Sequence, residues 1–459
     1  MRLRALLTPL ILTTALGAGT AQAQDVGLPA KVSDWTPTSN KFRSFPSTDY
    51  TDPAAGPRQA TTVWRTVGGT GNAAELWTTI TKDGRILDLG GSYVNYSDDQ
   101  GKTWKRVSPQ ETLVNGEGSI IQAPNGDVVG ITWDPYAGDR VVTYKLNAAT
   151  NAWSYMVMPL HTPFWDRPSI QVVPGDYTDP AGRRSPYMVF ANGLPHDPWI
   201  YSYDGLNYTG VSSPGNDRAA ASSSWLDVKP DPMYDYMQPE NDLTQGLFPK
   251  FAPVSGGRAW YENLLFGTDG TNWSPWTFPG GQTISGGIQV DSRGWLHNVV
   301  PTSNTKFTYR TSTDGGRTWK SLTVNGGSAG DFKANAAAGI AAVYAISGKQ
   351  DEVFKLDITT PQPKLIRSYK IGLGDDSRSG GVGFYGATGG HRFDFSSVGV
   401  FPDGRIAVSF MDSQTTMPFP TLGNDATCAV KDLPPDPVNQ SPCVVVAPQL
   451  AIEGDTTVG

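Results

Sequence analysis

Short apolar runs separated by turns rich in Gly, Asp and Asn recur along most of this chain. The turns lie at residues 82–85, 124–127, 174–186, 256–257, 291–294, 347–349 and 402–405. Gly, Asn and Asp accept the positive φ angles of tight turns, so each turn with its two flanking runs predicts a β-hairpin. Hairpins repeated in this way restrict the chain to an all-β architecture of short antiparallel strands.

The spacing of the turns indicates the kind of all-β fold. Asp83 and Asn125 are 42 residues apart, and Asp291 and Gly348 are 57 residues apart. A four-stranded blade with its loops uses about that length of chain. We therefore predict a β-propeller of four-stranded antiparallel blades, with seven blades, or six if one hairpin is an insertion. Residues 24–60 are predicted to be an N-terminal lead-in, and residues 61–459 a single propeller domain with an insertion near 211–245.

The composition agrees with this fold and limits the partners. Aromatic residues make up 11% of the chain, which also contains 52 Gly and 36 Pro, a mixture typical of strands joined by turns. The net charge of −7 argues against a nucleic-acid partner, because phosphate binding requires a basic surface. Beyond the N-terminus no apolar stretch is long enough to span a membrane. We expect a monomer.

The N-terminus has the pattern of a secretory signal. Arg2 and Arg4 precede an apolar run at residues 5–18, and Ala-Gln-Ala at residues 21–23 matches a signal-peptidase site. Residues 1–23 are therefore predicted to be removed, and the mature protein, with a net charge of −9, to be exported. In an oxidising compartment Cys428 and Cys443, the two cysteines of the chain, are expected to form a local disulfide.

No cofactor or metal site is predicted. No Cys and His spacing matches a zinc site, and no segment has the spacing of an EF-hand loop. The alternative prediction is that the Asp-rich loops bind Ca²⁺.

Two eight-residue segments share the pattern Ser-x-Asp-x-Gly-x-Thr-Trp, at residues 97–104 and 312–319. The Asp carboxylate can accept N–H groups across the turn, the Gly supplies a positive φ, and the Trp leaves the turn to pack inward. Weaker copies lie at residues 147–153, 202–208 and 268–273.

These segments resemble the Asp-box of the sialidase-like (BNR-repeat) propellers, over about residues 65–420. The resemblance implies that the boxes lie on outer turns, between the last two strands of a blade and away from any pocket. It implies a structural role for Asp99, Trp104, Asp314 and Trp319.

The first strand of each propeller blade lines the central channel, so the residues just before these strands surround one mouth of the channel. Residues with acid, base, guanidinium or amide groups at such positions are Glu75, Glu117, Asp166, Arg167, Glu240, Asn335, His391 and Arg392. We predict that Arg167 and Arg392 bind an acidic group of a substrate, because guanidinium groups pair with carboxylates through two hydrogen bonds. The candidates for proton transfer are Glu117, Asp166, Glu240 and His391. The alternative interpretation is that Asp166–Arg167 and Arg392–Asp394 are local ion pairs.

The function implied by the resemblance is that of a secreted sialidase-like glycoside hydrolase acting on an acidic glycan or polysaccharide. Arg167 followed by Pro168 is similar to part of the Arg-x-Pro element that begins sialidase catalytic domains. Two other functions stay open. A polysaccharide lyase would use His391 or a Tyr to abstract the C5 proton of a uronic acid. A non-catalytic propeller would bind a glycan or a protein.

Overall fold

The computed structural model contains strands and turns and, within the residues that it describes, no helix. Those residues are 27–35, 40–52, 58–66, 76–90, 93–109, 118–134, 140–159, 166–179, 181–194, 200–210, 251–254, 258–261, 264–266, 273–275, 287–291, 293, 295–303, 305–314, 316–346, 352–370, 397–417 and 445–454.

The strands group into an N-terminal set and seven antiparallel units of consecutive strands, which we call blades 1–7. The N-terminal strands are β1 (Leu28–Pro29), β2 (Lys31–Trp35), β3 (Asn40–Asp49) and β4 (Arg58–Thr66). Blade 1 contains β5 (Leu76–Ile80), β6 (Ile86–Gly90), β7 (Tyr93–Ser97) and β8 (Trp104–Ser108). Blade 2 contains β9 (Gly118–Gln122), β10 (Val128–Asp134), β11 (Arg140–Asn147) and β12 (Ala152–Pro159). Blade 3 contains β13 (Asp166–Thr178), β14 (Arg184–Leu194), β15 (Ile200–Ser202) and β16 (Thr209–Gly210).

The other blades follow in chain order. Blade 4 contains β17 (Phe251–Val254), β18 (Arg258–Tyr261), β19 (Leu264–Phe266) and β20 (Trp273–Pro275). Blade 5 contains β21 (Gly287–Val290), β22 (Leu296–Ser303), β23 (Lys306–Ser312) and β24 (Lys320–Asn325). Blade 6 contains β25 (Ser328–Asn335), β26 (Ile340–Ile346), β27 (Glu352–Asp357) and β28 (Lys364–Lys370). Blade 7 contains β29 (Ser397–Val400), β30 (Ile406–Met417) and β31 (Val445–Glu453), and β4 is its fourth strand.

The first strands of the blades form a closed ring. Each first strand contacts the first strand of the next blade, and β29 of blade 7 contacts β5 of blade 1. Neighbouring first strands run in the same direction: Thr78 bonds to Ser397 at the start of β29, and Ile80 lies against Gly399 near its end. The all-β propeller is therefore confirmed. The described residues contain seven blades, and the blade number of the whole chain stays a prediction.

The N-terminal strands lie on the outer edges of four blades. β1 pairs with β12 of blade 2, and β2 pairs with β8 of blade 1. β3 pairs with β28 of blade 6, and β4 pairs with both β3 and β31. The β3–β4 hairpin thus joins blades 6 and 7 into one nine-stranded sheet.

Three of the predicted hairpins combine the same turn with an Asp-Gly or Asn-Gly pair, and the hairpin of blade 3 has the same turn around Gly182 without that pair. In each, the N–H of the first turn residue bonds to a carbonyl four residues later, and the Gly N–H bonds back three residues. In the three turns with such a pair the glycines are Gly84, Gly126 and Gly404, with φ of 88°, 94° and 84°. These positive φ angles are the reason for the Asp-Gly or Asn-Gly pair at each of the three.

The predicted hairpin of blade 6 is present, because β26 pairs with β27, but β26 is the second strand of the blade and not the first. The first strand is β25, and the turn that follows it is at residues 336–339. Asn335 therefore lies at the end of the first strand, not before it, and its side chain bonds to the Val400 carbonyl. This turn begins with three alanines and has no Asp-Gly pair, so it lacks the signal that predicts the other turns.

Apolar side chains fill the spaces between neighbouring blades. Blades 1 and 2 share a core that includes Leu89, Val107 and Tyr144, and blades 5 and 6 share one that includes Phe307 and Phe354. The face of blade 1 that meets blade 7 buries Ile86 and Trp104 against apolar residues of blade 7, including Leu450. This sheet-to-sheet packing fixes the blades around the channel. Among the described residues, no helix has the length and hydropathy needed to cross a membrane.

Candidate functional site in the central channel

Polar side chains on the first strands tie each blade to its neighbour at the channel. The Ser119 hydroxyl accepts the Ile170 N–H at 2.8 Å, and the Ser397 hydroxyl accepts the Thr78 N–H at 3.1 Å. These N–H groups lie on the inner edge of a sheet, where no further strand can pair with them. The side chains replace the missing strand, so their first role is structural.

A lysine, an aspartate and a tryptophan meet at the channel end where the first strands begin. We call Trp77, Asp331 and Lys333 the channel cluster. The Lys333 ammonium lies 3.4 Å from Asp331 Oδ1 and 4.7 Å from the centre of the Trp77 ring. Trp77 belongs to blade 1 and Lys333 to blade 6, so this contact passes over the inner edge of blade 7.

The carboxylate of the channel cluster is fixed by the neighbouring blade. Asp331 Oδ2 accepts hydrogen bonds from the Ser397 hydroxyl and the Val398 N–H, each at 3.0 Å. Oδ1 is left to face Lys333. The side chains of Lys333 and Asp331 are 26% and 18% exposed, so solvent reaches both. A charged pair that is rigidly held yet accessible from a channel is a typical feature of a ligand-binding site.

A second acidic group, Asp88, is buried behind the channel, between blades 1 and 7. It is 1% exposed, and its Oδ1 accepts a hydrogen bond from the Thr78 hydroxyl at 3.3 Å. Its Oδ2 has no hydrogen-bond partner among the described residues. Burial raises the pKa of Asp88 to about 7, and the Thr78 hydrogen bond offsets only part of this effect. Asp88 is therefore an acid poised near neutral pH, but solvent does not reach it.

His297 is held in a buried chain of hydrogen bonds in blade 5. Its Nε2 lies 2.8 Å from Asp291 Oδ2, and its Nδ1 lies 2.8 Å from the Tyr309 hydroxyl. His297 is 0% exposed. With no route to solvent, the three groups secure the turn after β21 and do not form a reaction centre.

A small cleft, partly open to solvent, lies between blades 6 and 7. Glu453 lines it and accepts hydrogen bonds from the Tyr369 hydroxyl, the Lys355 ammonium and the Ile406 N–H. Every oxygen of this carboxylate is thus already used to join β31 to blade 6. Burial and the nearby Glu453 raise the pKa of Tyr369, so its hydroxyl stays protonated. The polar groups of this cleft therefore serve to hold blades 6 and 7 together.

The two Ser-x-Asp segments form the same turn in blades 1 and 5. In the first, Asp99 accepts the Thr103 N–H at 2.8 Å and the Thr103 hydroxyl at 2.7 Å, and the Trp104 indole donates to the Gly101 carbonyl. In the second, Asp314 makes the equivalent bonds to Thr318, at 2.9 and 2.7 Å, and the Trp319 indole donates to Gly316. Both turns join the third and fourth strands of a blade, far along the sheet from the channel.

These hydrogen bonds also perturb the acids of the turns. The N–H and hydroxyl of Thr318 lower the pKa of Asp314 to about 2. The weaker copy at residues 202–208 has a related geometry, since Asp204 accepts the Asn207 N–H and side-chain amide. In the copy at 147–153, Asn147 accepts two N–H groups instead. The copy at 268–273 lies outside the described residues except for Trp273.

Apart from Asn335, the predicted site residues lie in the sequence at or before the start of a first strand. Asp166 and Arg167 are the first two residues of β13, where the pairing with β14 is interrupted by a bulge before Ser169. Their side chains lie outside the described part of the structure. Residues wholly outside it are Glu75, Glu117, Glu240, His391, Arg392, Asp394, Cys428 and Cys443. The predicted signal segment 1–23 and the predicted insertion near 211–245 also lie outside it.

Sequence reasoning missed the channel cluster and Asp88. Lys333 and Asp331 carry no motif, and their meeting with Trp77 depends on the packing of three blades. Asp88 did carry a signal, because it interrupts the apolar run Ile-Leu-Asp-Leu at residues 86–89. A charged residue inside a buried strand is rare unless it has a special role. No group of His, Cys, Asp and Glu among the described residues is arranged to hold a metal ion.

Comparison with known proteins finds distant structural likenesses. No protein-family model matches the chain, and no curated protein matches it. The structure is similar to virginiamycin B lyase from Staphylococcus aureus, with 11% identity over 66% of this chain and 87% of that chain, and a TM-score of 0.39. It is similar to the NanB sialidase from Streptococcus pneumoniae, with 14% identity over 84% of this chain and 68% of that chain, and a TM-score of 0.31.

A third likeness is to the leech intramolecular trans-sialidase, with 12% identity over 84% of this chain and 90% of that chain, and a TM-score of 0.30. At these identities and TM-scores the likenesses carry no argument about substrate or mechanism.

Proposed function

We propose that this protein is a secreted propeller that cleaves an acidic glycan as a sialidase-like glycoside hydrolase. The observation that supports this proposal is the ring of first strands. Neighbouring first strands run side by side in the same direction, so their first residues surround one channel mouth. The predicted acids, bases and guanidiniums lie in the sequence at or before these residues, and we propose that they meet at this mouth. The accessible channel cluster lies at the same end.

The proposed chemistry needs two kinds of group at this mouth. Arg167 and Arg392 would bind the acidic group of the sugar, each through a bidentate contact. Glycoside cleavage then needs one carboxylic acid that protonates the leaving oxygen and one carboxylate that acts as base or nucleophile. Glu117, Asp166 and Glu240 are the proposed carboxyl groups, and His391 is a further proton-transfer group.

The remaining parts of the proposal concern processing and structural motifs. The two Ser-x-Asp turns, with their matching hydrogen bonds, are proposed to be Asp-boxes with a structural role for Asp99, Trp104, Asp314 and Trp319. Residues 1–23 are proposed to be removed on export, and Cys428 and Cys443 to form a disulfide. The protein is proposed to act as a monomer without a cofactor.

Product analysis on acidic glycans tests this proposal. A sialylated oligosaccharide and a uronate polymer would each be incubated with the mature protein. A hydrolase releases a new reducing end without a new ultraviolet absorbance, whereas a lyase leaves an unsaturated uronate that absorbs in the ultraviolet. Binding without any product would favour the non-catalytic propeller and overturn the proposal.

Two substitutions test the proposed arginines. Arg167→Ala and Arg392→Ala should each weaken transition-state binding of an acidic glycan by roughly 1.5–3 kcal/mol, read as a loss of kcat/KM. Arg317→Ala is the matched control, because Arg317 is an exposed guanidinium on the outer turn of blade 5. If both site variants kept the activity of the parent on a substrate that the parent cleaves, the local ion pairs would be the correct interpretation.

A further inference from the structure

We infer that the channel cluster binds a neutral sugar ring, next to the acidic sugar at the channel mouth. This inference rests on the proposed function for the identity of the whole ligand, but its own evidence is the geometry of Trp77, Asp331 and Lys333.

The ammonium of the cluster is held in place and keeps donors for a ligand. Trp77 lies beneath it at 4.7 Å, a cation–π distance, and Asp331 lies beside it at 3.4 Å. An ammonium has three N–H donors, and Asp331 is its one ion-pair partner among the described residues. Two donors of Lys333 therefore remain for a group that enters the channel.

The acceptor of the cluster is also pre-organised. Ser397 and Val398 both donate to Oδ2 of Asp331, which leaves Oδ1 beside the ammonium. A donor and an acceptor side by side match two neighbouring hydroxyls of a pyranose, since each hydroxyl both donates and accepts. Because the bonds to Ser397 and Val398 fix Asp331, a ligand does not have to order the site on binding.

The charge of the cluster argues for a neutral sugar over an anion. Lys333 and Asp331 carry opposite charges and together have none, so the pair offers little attraction to a carboxylate. A neutral sugar binds through hydrogen bonds and not through net charge, so the opposite charges of Lys333 and Asp331 do not weaken its binding. The acidic part of the glycan would instead be bound by Arg167 and Arg392 at the mouth, and the next sugar by the channel cluster.

Calorimetric titration with matched probes tests the inference. The probes are 3′-sialyllactose, free N-acetylneuraminate and lactose, and for uronates a hyaluronan tetrasaccharide and free glucuronate. Lys333→Met should weaken the binding of 3′-sialyllactose and of the hyaluronan tetrasaccharide about 10- to 100-fold. It should leave the binding of free N-acetylneuraminate and free glucuronate unchanged. Lys333→Arg should restore most of the loss. Lys320→Met, at an exposed position of blade 5, is the control and should change nothing.

The outcomes separate this inference from the proposed function. If Lys333→Met weakened oligosaccharides and free acidic sugars equally, or weakened neither, the neutral subsite would be wrong while the acidic-glycan proposal stood. If the parent bound lactose as tightly as sialyllactose and lost both on substitution of Lys333, the subsite would be supported and the acidic substrate rejected. If the parent bound none of the five probes, both proposals would be rejected.

Discussion

Replacing Asp88 by asparagine should make the protein more stable at neutral pH. Asp88 is buried between blades 1 and 7, no described residue forms an ion pair with it, and burial raises its pKa from 3.8 to about 7. The cationic residue on the same face of blade 1, Arg106, is bonded to Asn95 at 3.4 Å. The difference between the two pKa values corresponds to about 4 kcal/mol of destabilisation once the carboxyl group is ionised in both states.

The direction in which the free energy of unfolding changes with pH follows from the protonation of Asp88 in the folded and the unfolded chain. Below about pH 4 the carboxyl group is protonated in the folded and the unfolded chain, and its contribution to stability is fully present. Between about pH 4 and pH 7 the unfolded chain releases the proton while the folded protein keeps it, so the free energy of unfolding falls as pH rises. Above about pH 7 the loss is complete.

Asparagine has the shape of aspartate but does not ionise, so it removes this loss. Its amide group has a constant cost, about 1–3 kcal/mol if its N–H donors stay unpaired. The gain in unfolding free energy of Asp88→Asn over the parent should therefore be about 4 kcal/mol larger at pH 8 than at pH 4. Blade 5 has an asparagine, Asn298, at the position that matches Asp88. Asn298 is the strand partner of Arg310, and Asp88 is the strand partner of Asn95. Arg310 and Asn95 each lie two residues before the Ser-x-Asp turn of their blade.

Urea unfolding of both proteins at pH 4, 6 and 8 measures this difference. Asp83→Asn, at an exposed position in the first turn of blade 1, is the control and should show little change. A gap between Asp88→Asn and the parent that stays constant from pH 4 to pH 8 would refute the reasoning, because it would mean that Asp88 ionises as easily in the folded protein as in the unfolded chain.

Two further predictions concern packing. Trp104→Ala should cost about 3–5 kcal/mol of unfolding free energy, because Trp104 is 1% exposed, and Trp319→Ala should cost less, because its ring is partly exposed; equal losses in urea unfolding would contradict this. Gly205→Ala should be more destabilising than Gly182→Ala, although both glycines have φ near +80°. A Cβ at Gly205 would lie 2.3 Å from Val129, whereas a Cβ at Gly182 would face open space. Equal melting temperatures for these two variants would show that backbone strain alone decides the cost.

Local chemistry explains which parts of the fold could be predicted from the sequence. Turns such as the one at Gly84 were predictable, because the positive φ requires a glycine whatever lies around it. The turn at residues 336–339 was not, because its one glycine follows three alanines and its geometry is secured by Asn335 accepting the Ala338 N–H. The pairing of β1 and β2 with the edges of blades 2 and 1 has no local signal, since edge pairing depends on which blade stands nearby.

The candidate site was less accessible to sequence reasoning than the fold. The positions before the first strands could be found by counting strands, which is how Arg167 and Glu117 were selected. The channel cluster could not, because Lys333 and Trp77 are about half the chain apart and meet only when the ring closes. The role of Asp88 could not be predicted without the strand register, because its destabilising effect arises where no described residue of the facing blade pairs with its Oδ2.

The position of β4 in blade 7 determines when this blade can be completed during synthesis of the chain. The ribosome makes β4 before any of the seven blades, but its partner in blade 7, β31, follows every other described strand. Until then β4 is paired on one edge only, with β3, and blade 7 lacks its outer two strands. The other edge of β4 therefore stays unpaired in the nascent chain, a state in which exposed strand edges favour association with other chains. Blade 7 can therefore be completed only after β31 has been made, although its first strand already closes the ring against β5.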